Sequence, residues 1–154
     1  MERKALLTSV FDVLKKDCEI KLEDYFVDDC KIYYNVANRQ NNLFSTKNNI
    51  HELRVHLVVV KYVFSILFNE YKVNVQNIVC ENDNAAVEWE LSGMLPDETQ
   101  ITCKVASFFS FKNEKILTET QYWEDYFAFD TLISKFQLEK PIGEFIQSLM
   151  EGQS

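Results

Sequence analysis

The stretch Val73–Met94, VNVQNIVCENDNAAVEWELSGM, decides the fold. Apolar and polar residues alternate with a period of two over Lys72 to Glu81 and again over Ala85 to Leu95, and Asn82 to Asn84 supply a turn between them. That is the pattern of two half-covered strands joined as a hairpin. The same period continues through Thr99 to Phe111 and Lys115 to Trp123, with Pro96 to Glu98 and Lys112 to Glu114 as further turns. Three successive hairpins predict a four-stranded antiparallel meander.

Upstream of the meander, the period changes. From Arg3 to Val27, Leu7, Val10, Phe11, Leu14, Cys18, Leu22, Tyr25 and Phe26 recur at three- and four-residue spacings, which predicts one amphipathic helix. Cys30 to Val36 then has the alternation of a short strand, and Ala37 to Asn49 is a polar loop. Ile50 to Phe68 is apolar nearly all round, as in a helix covered on most sides, with one wet stripe through Arg54, Lys61 and Ser65 and with Glu52 and His56 opposite it. Downstream, Asp130 to Leu138 and Gly143 to Met150 read as short helices broken at Pro141, itself a plausible first-turn residue. The expectation is an α+β domain spanning 1–154, its helices on one sheet face.

Composition narrows the function. Glycine occurs only at Gly93, Gly143 and Gly152, which excludes a Walker loop, a dinucleotide-binding G-x-G-x-x-G and a G-x-S-x-G nucleophile elbow. A net charge of −8 with only three arginines argues against nucleic-acid and anionic membrane partners. The longest apolar run, Leu57 to Phe68, is well short of the roughly 20 residues that span a bilayer. The opening residues MERKALLTSVFDVL lack the continuous apolar stretch of a signal peptide. Cys18, Cys30, Cys80 and Cys103 form no C-x-x-C pair, so reduced thiols and a cytoplasmic location are expected, with no cofactor. In HELRVH, His51 and His56 are five apart and diverge by about 140° on a helix, so no metal site is expected there.

The order helix, YFVDDCKIYY, central helix, VNVQNIVCENDNAAVEWELSG, ASFFSFKNEKI and QYWEDYFAFDTLISKFQL resembles the SnoaL-like proteins of the nuclear transport factor 2-like superfamily over roughly Leu6 to Leu138. The resemblance implies a curved antiparallel sheet wrapped around the N-terminal and central helices as a cone, a small apolar molecule inside it, and a homodimer formed through the outer sheet face. It also implies site residues. Matched to ketosteroid isomerase, Tyr34 falls at the base position and Ser107 at the oxyanion-donor position, and neither is a carboxyl, so that mechanism is not expected. Matched to limonene epoxide hydrolase, Asp125 and Glu90 take the two carboxylate positions while Glu88 and Glu124 replace both arginines, so that hydrolysis is not expected either.

Asp125 also matches the catalytic aspartate of the SnoaL-like cyclases. The expected acid–base group is therefore Asp125, with Glu90 or His56 assisting. Tyr34, Ser107, Phe109 and Trp123 are expected to line an aromatic pocket for a small apolar ligand. On this alignment Val87, Trp89 and Leu91 face outward and need a covering partner subunit. The competing expectation is a non-enzymatic ligand-binding or protein-interaction domain.

Overall fold

The structure is a computed structural model describing residues 2–36, 44–124 and 129–152. Helix α1 covers only Arg3–Val10, followed by single turns of 3-10 helix at Phe11–Leu14 and Leu22–Asp24. The expected helix to Val27 is thus corrected. Lys15 is already extended (ψ 140), and the Leu14 carbonyl accepts a 2.6 Å hydrogen bond from the Tyr71 hydroxyl instead of continuing the turn. Its apolar residues still bury: Leu6, Leu7, Val10, Phe11, Leu14 and Leu22 all lie in the core. Periodicity reported the burial correctly, and chain breaks at Lys15 and Lys21 supplied the geometry.

Strand β1 runs over Phe26–Asn35, starting four residues before the expected Cys30. Helix α2 covers Ile50–Leu67, capped by the Asn49 side chain, which accepts the Glu52 N–H at 2.9 Å, while Glu52 accepts the Asn48 N–H. This reciprocal arrangement is a capping-box variant. The meander follows as β2 (Glu70–Glu81), β3 (Asn84–Met94), β4 (Gln100–Lys112) and β5 (Lys115–Trp123), close to the expected bounds. Helices α3 (Phe129–Lys135) and α4 (Glu139–Gly152) close the chain, with Pro141 in the first turn of α4. None of these helices is long and apolar enough to cross a membrane.

The sheet order is β1-β5-β4-β3-β2, with β1 parallel to β5 and every other pair antiparallel. Scarce glycine is replaced in the turns by residues that tolerate positive φ: Asn82 (53°), Asn113 (52°) and Glu114 (65°). Arg3 ties α1 to two of these turns, bonding Asp83 at 2.7 Å and lying 3.5 Å from Glu114, with its guanidinium 4.9 Å from the Phe111 ring centroid.

The two faces of β3 settle its orientation. Val87, Trp89 and Leu91 point inward and are at most 1% exposed, whereas Glu88 and Glu90 lie on the outer face. The outward placement of Val87, Trp89 and Leu91 is therefore corrected. Period two defines two sets without saying which is buried, and burying an indole is favourable where burying two carboxylates is costly. The outer face nonetheless carries an apolar row made of other residues. Across the five strands, Val79, Ala86, Phe108, Thr120 and Tyr33 stand in register, and Val79, Phe108 and Tyr33 are exposed.

Candidate functional site

Inside the cone, the inward residues of β4 and β5 build a buried polar chain. In register, Ser107 faces Gln121 and Phe109 faces Glu119, while Trp89 and Trp123 both oppose Val105. Trp89 Nε1 donates to Ser107 Oγ at 2.9 Å, and Trp123 Nε1 donates to Gln121 Oε1 at 2.9 Å. Gln121 Nε2 in turn donates to Glu119 Oε2 at 2.9 Å, and the Ser107 hydroxyl lies close enough to favour the ionised form of Glu119.

The directions are fixed by chemistry. An indole N–H can only donate, so Ser107 receives from Trp89. Likewise the Gln121 oxygen must meet Trp123, which aims the amide NH2 at the carboxylate. The amide thus supports the ionised Glu119 directly, and the Ser107 hydroxyl favours the same form. Glu119 is 7% exposed. Burial pushes its carboxyl up to about 7, against the opposing pull of the Ser107 and Gln121 donors. A carboxyl placed there can exchange its proton at neutral pH.

An aromatic layer lies alongside. Tyr34 on β1 is 5.0 Å from the His56 ring and 5.7 Å from Phe44, and Phe44 also approaches Phe129 (4.8 Å) and Trp123 (6.2 Å). Burial holds the Tyr34 phenol well above its usual value, and the nearby Glu119 charge acts in the same sense. Tyr34 therefore stays protonated at neutral pH. His56, 5% exposed, is pushed down to about 3 by burial and secondarily by the Lys47 charge, so its imidazole stays neutral.

On the far side of His56 a cavity of about 630 Å³ opens between α2, α3 and α4. Its body is aliphatic, formed by Val55, Val59, Ile133, Ile142 and Ile146, with His56 in the wall. Lys47, His51, Glu52 and Glu139 stand around it, and Lys47 is pinned by backbone bonds to Ile32 of β1 at 2.9 and 3.0 Å.

Of the expected site residues, Tyr34, Ser107, Phe109 and Trp123 do face the interior. His56 is buried between that interior and the cavity. Glu90 is on the opposite sheet face, paired across the ladder with Asn74 and Lys104, and so lies outside the interior site. Asp125 lies outside the described residues.

The group that sequence reasoning missed is Glu119. The segment TETQ at Thr118 to Gln121 has no apolar face to mark which side is buried. Counting back by two from Trp123 was the available signal, since it places Gln121 and Glu119 on the same side.

Residues 7–119 match the family model of the SnoaL-like domain. The chain belongs to the SnoaL-like domain family. This SnoaL-like domain also shares its fold with solved structures. IdmH from Streptomyces antibioticus, proposed to be a polyketide cyclase, aligns with TM-score 0.62 and 12% identity, covering 80% of this chain and 93% of that one. A proposed SnoaL-like polyketide cyclase from Jannaschia sp. CCS1 aligns with TM-score 0.59 and 13% identity, over 79% and 85% of the two chains. A protein from Catenulispora acidiphila with a ketosteroid isomerase-like fold, in complex with trimethylamine, aligns with TM-score 0.54 and 12% identity, over 81% and 86%. At such identities the likeness shows the fold alone. No curated protein matches the sequence. Glu119 is the last residue of the family match, and α3 and α4 lie wholly beyond it.

Proposed function

We propose that this SnoaL-like domain binds a small, mainly apolar molecule in the cavity beside His56, and that Glu119, which lies behind the Tyr34–His56 layer and outside that cavity's lining, is the acid–base group for a ligand that reaches the cone interior. The observation that carries this reading is a buried carboxyl with a value of about 7 that accepts from the Gln121 amide and whose charged form Ser107 favours. Such a group is ionised often enough to take a proton and protonated often enough to return one. In the simplest reaction the carboxylate removes a proton from the carbon next to a ligand carbonyl, leaving an enolate, and gives a proton back at the same or another carbon. Isomerisation and cyclisation both begin with that step.

The test is hydrogen–deuterium exchange of methyl octyl ketone in D2O, followed by mass spectrometry. The wild type should exchange its α-hydrogens faster than buffer, and Glu119→Gln should abolish the gain. If Asp125→Asn abolishes it while Glu119→Gln does not, the proton-transfer group is Asp125. The second reading is a non-enzymatic binding domain, favoured by Tyr34, Phe44, Trp123 and Phe129 packing around the carboxyl's neighbourhood. Exchange no faster than buffer, together with ligand binding, would establish it.

A second copy of the chain is the proposed partner on the outer sheet face. The exposed Phe108 and Tyr122 rings, 5.8 Å apart, sit beside Glu88, Lys104 and Glu124, so the face offers both signs of charge to its own two-fold mate. Phe108→Glu should shift light-scattering mass from dimer to monomer, and an unchanged mass would reject the arrangement. A cytoplasmic location is proposed on the free cysteines, of which Cys30 and Cys103 are buried with thiols pushed up to about 11 and about 12.

A further inference from the structure

The cavity between α2 and α4 is built differently from the aromatic interior behind it. Its wall is aliphatic, and two of its isoleucines, Ile142 and Ile146, come from α4, beyond the family match. A polar side chain set in such a wall needs a partner. Yet His56, 5% exposed and set in the cavity wall, makes no hydrogen bond with a described residue, and its ring nitrogens are not sealed off as the Arg3 Nε atom is. A neutral imidazole carries one donor and one acceptor. Both capacities belong to a ring in the cavity wall.

Gly143 is the second observation. It sits within the fourteen-residue α4, where alanine is the better helix former, and it lines the cavity. A Cβ built on it meets nothing within 4 Å, so no neighbouring side chain requires the glycine. Its absent side chain leaves free space on the α4 side of the cavity. The surrounding charges are mixed: the Lys47 cation, whose Nζ donates to Ser45 Oγ at 3.1 Å, and the Glu52 and Glu139 carboxylates. The carboxylates outnumber the cation by one, but the charge that acts on His56 is that of Lys47. An ion brought to the depth of His56 would lose its hydration without a dedicated counter-ion.

We propose that this cavity takes an uncharged aliphatic molecule bearing one carbonyl or hydroxyl, whose oxygen bonds the His56 imidazole and whose chain lies across Gly143. This rests on the ligand-binding half of the function proposed above and is independent of Glu119. A ketone accepts from the imidazole N–H, an alcohol can meet either ring nitrogen, and aliphatic chain suits the valine and isoleucine wall.

The test compares four probes of similar chain length, methyl octyl ketone, decanol, decanoate and decylamine, by isothermal titration calorimetry and by 15N shifts of the His56 ring. Ketone and alcohol should bind and move the ring resonances, and decanoate and decylamine should bind at least about tenfold more weakly. His56→Phe should weaken the ketone by about fivefold, and His56→Gln, which keeps a donor and an acceptor, should restore most of it. Gly143→Leu, which meets no backbone clash, should weaken all binding by about tenfold or more.

Tighter binding of decanoate or decylamine, or equal binding of all four probes, overturns the head-group inference while leaving a ligand site in place. A full loss in His56→Phe that His56→Gln does not restore overturns the hydrogen bond. If no probe binds the wild type, the ligand-binding reading falls together with this one. Retained ketone exchange with unshifted His56 resonances would leave Glu119 chemistry standing and reject this cavity as its site.

Discussion

Glu119 and His56 are buried to almost the same degree, 7% and 5% exposed, yet they end in opposite electrostatic conditions. Burial acts on both in one sense, disfavouring the charged form: it raises an acid and lowers a base. What differs is the company. Glu119 accepts from the Gln121 amide, which the Trp123 indole orients, and is favoured in its charged form by Ser107, and its carboxyl settles at about 7. His56 has aromatic rings on its inner side and the Lys47 charge nearby, and it falls to about 3. The same desolvation thus yields one group that switches at neutral pH and one held neutral. Chemistry fits the first, and recognition of a neutral ligand fits the second.

The sharpest way to break this contrast is pH-dependent stability. The folded value of Glu119 is raised from 4.5 to about 7, so its contribution is fully present below 4.5 and is lost as pH rises through 7. His56 is lowered from 6.5 to about 3, so its contribution is present above 6.5 and is lost as pH falls toward 3. The two slopes oppose each other where the windows overlap, between pH 4.5 and 6.5. Denaturant unfolding of wild type against Glu119→Gln should therefore show a stability difference that changes by about 3 kcal/mol between pH 4.5 and pH 7. A difference independent of pH would mean that the carboxyl is not raised. His56→Phe should remove the loss on the acid side and leave the Glu119 window untouched.

A smaller effect sharpens the role of the donors. Ser107→Ala removes a hydroxyl that favours the ionised Glu119 and leaves the Trp89 indole N–H without its acceptor, in a site where Ser107 is 0% exposed. We expect a loss of about 2 kcal/mol and a Glu119 value above that of the wild type, read by 13C titration of its side-chain carboxyl. A value that stays put or falls would show that Ser107 does not support the ionised form.

How much of this was legible in the sequence follows from which signals are periodic. The meander was readable because its alternation persists through four strands, and α2 because its apolar residues leave one narrow wet stripe. The inward positions of Tyr34, Ser107, Phe109 and Trp123 followed from the family alignment. The orientation of β3 did not, because alternation is blind to face until the energies of Trp89 and Glu90 are weighed against each other. Glu119 stayed hidden for a related reason: in TETQ both faces are polar, and its burial depends on indoles contributed by Trp89 and Trp123, on two different strands. The first helix was overextended because Leu14, Leu22 and Phe26 do bury, though as parts of separate elements.

The smallest expected effect concerns two glycines that composition alone could not tell apart. At Gly93 an added Cβ would lie 2.5 Å from Phe68 Cδ1 and 2.9 Å from the Glu70 carbonyl oxygen, a backbone atom that cannot simply rotate away. Gly93→Ala should therefore destabilise. At Gly143 the Cβ meets nothing within 4 Å, the backbone is helical, and alanine loses less chain entropy on folding than glycine does. Gly143→Ala should stabilise by about 0.5 to 1 kcal/mol in thermal unfolding, leaving the Glu119 and His56 titrations unchanged. The methyl is small enough to leave most of the cavity open, whereas leucine at the same position is not. If Gly143→Ala destabilises instead, α4 does not stand off from α2 as the cavity requires, and the space beside His56 is closed.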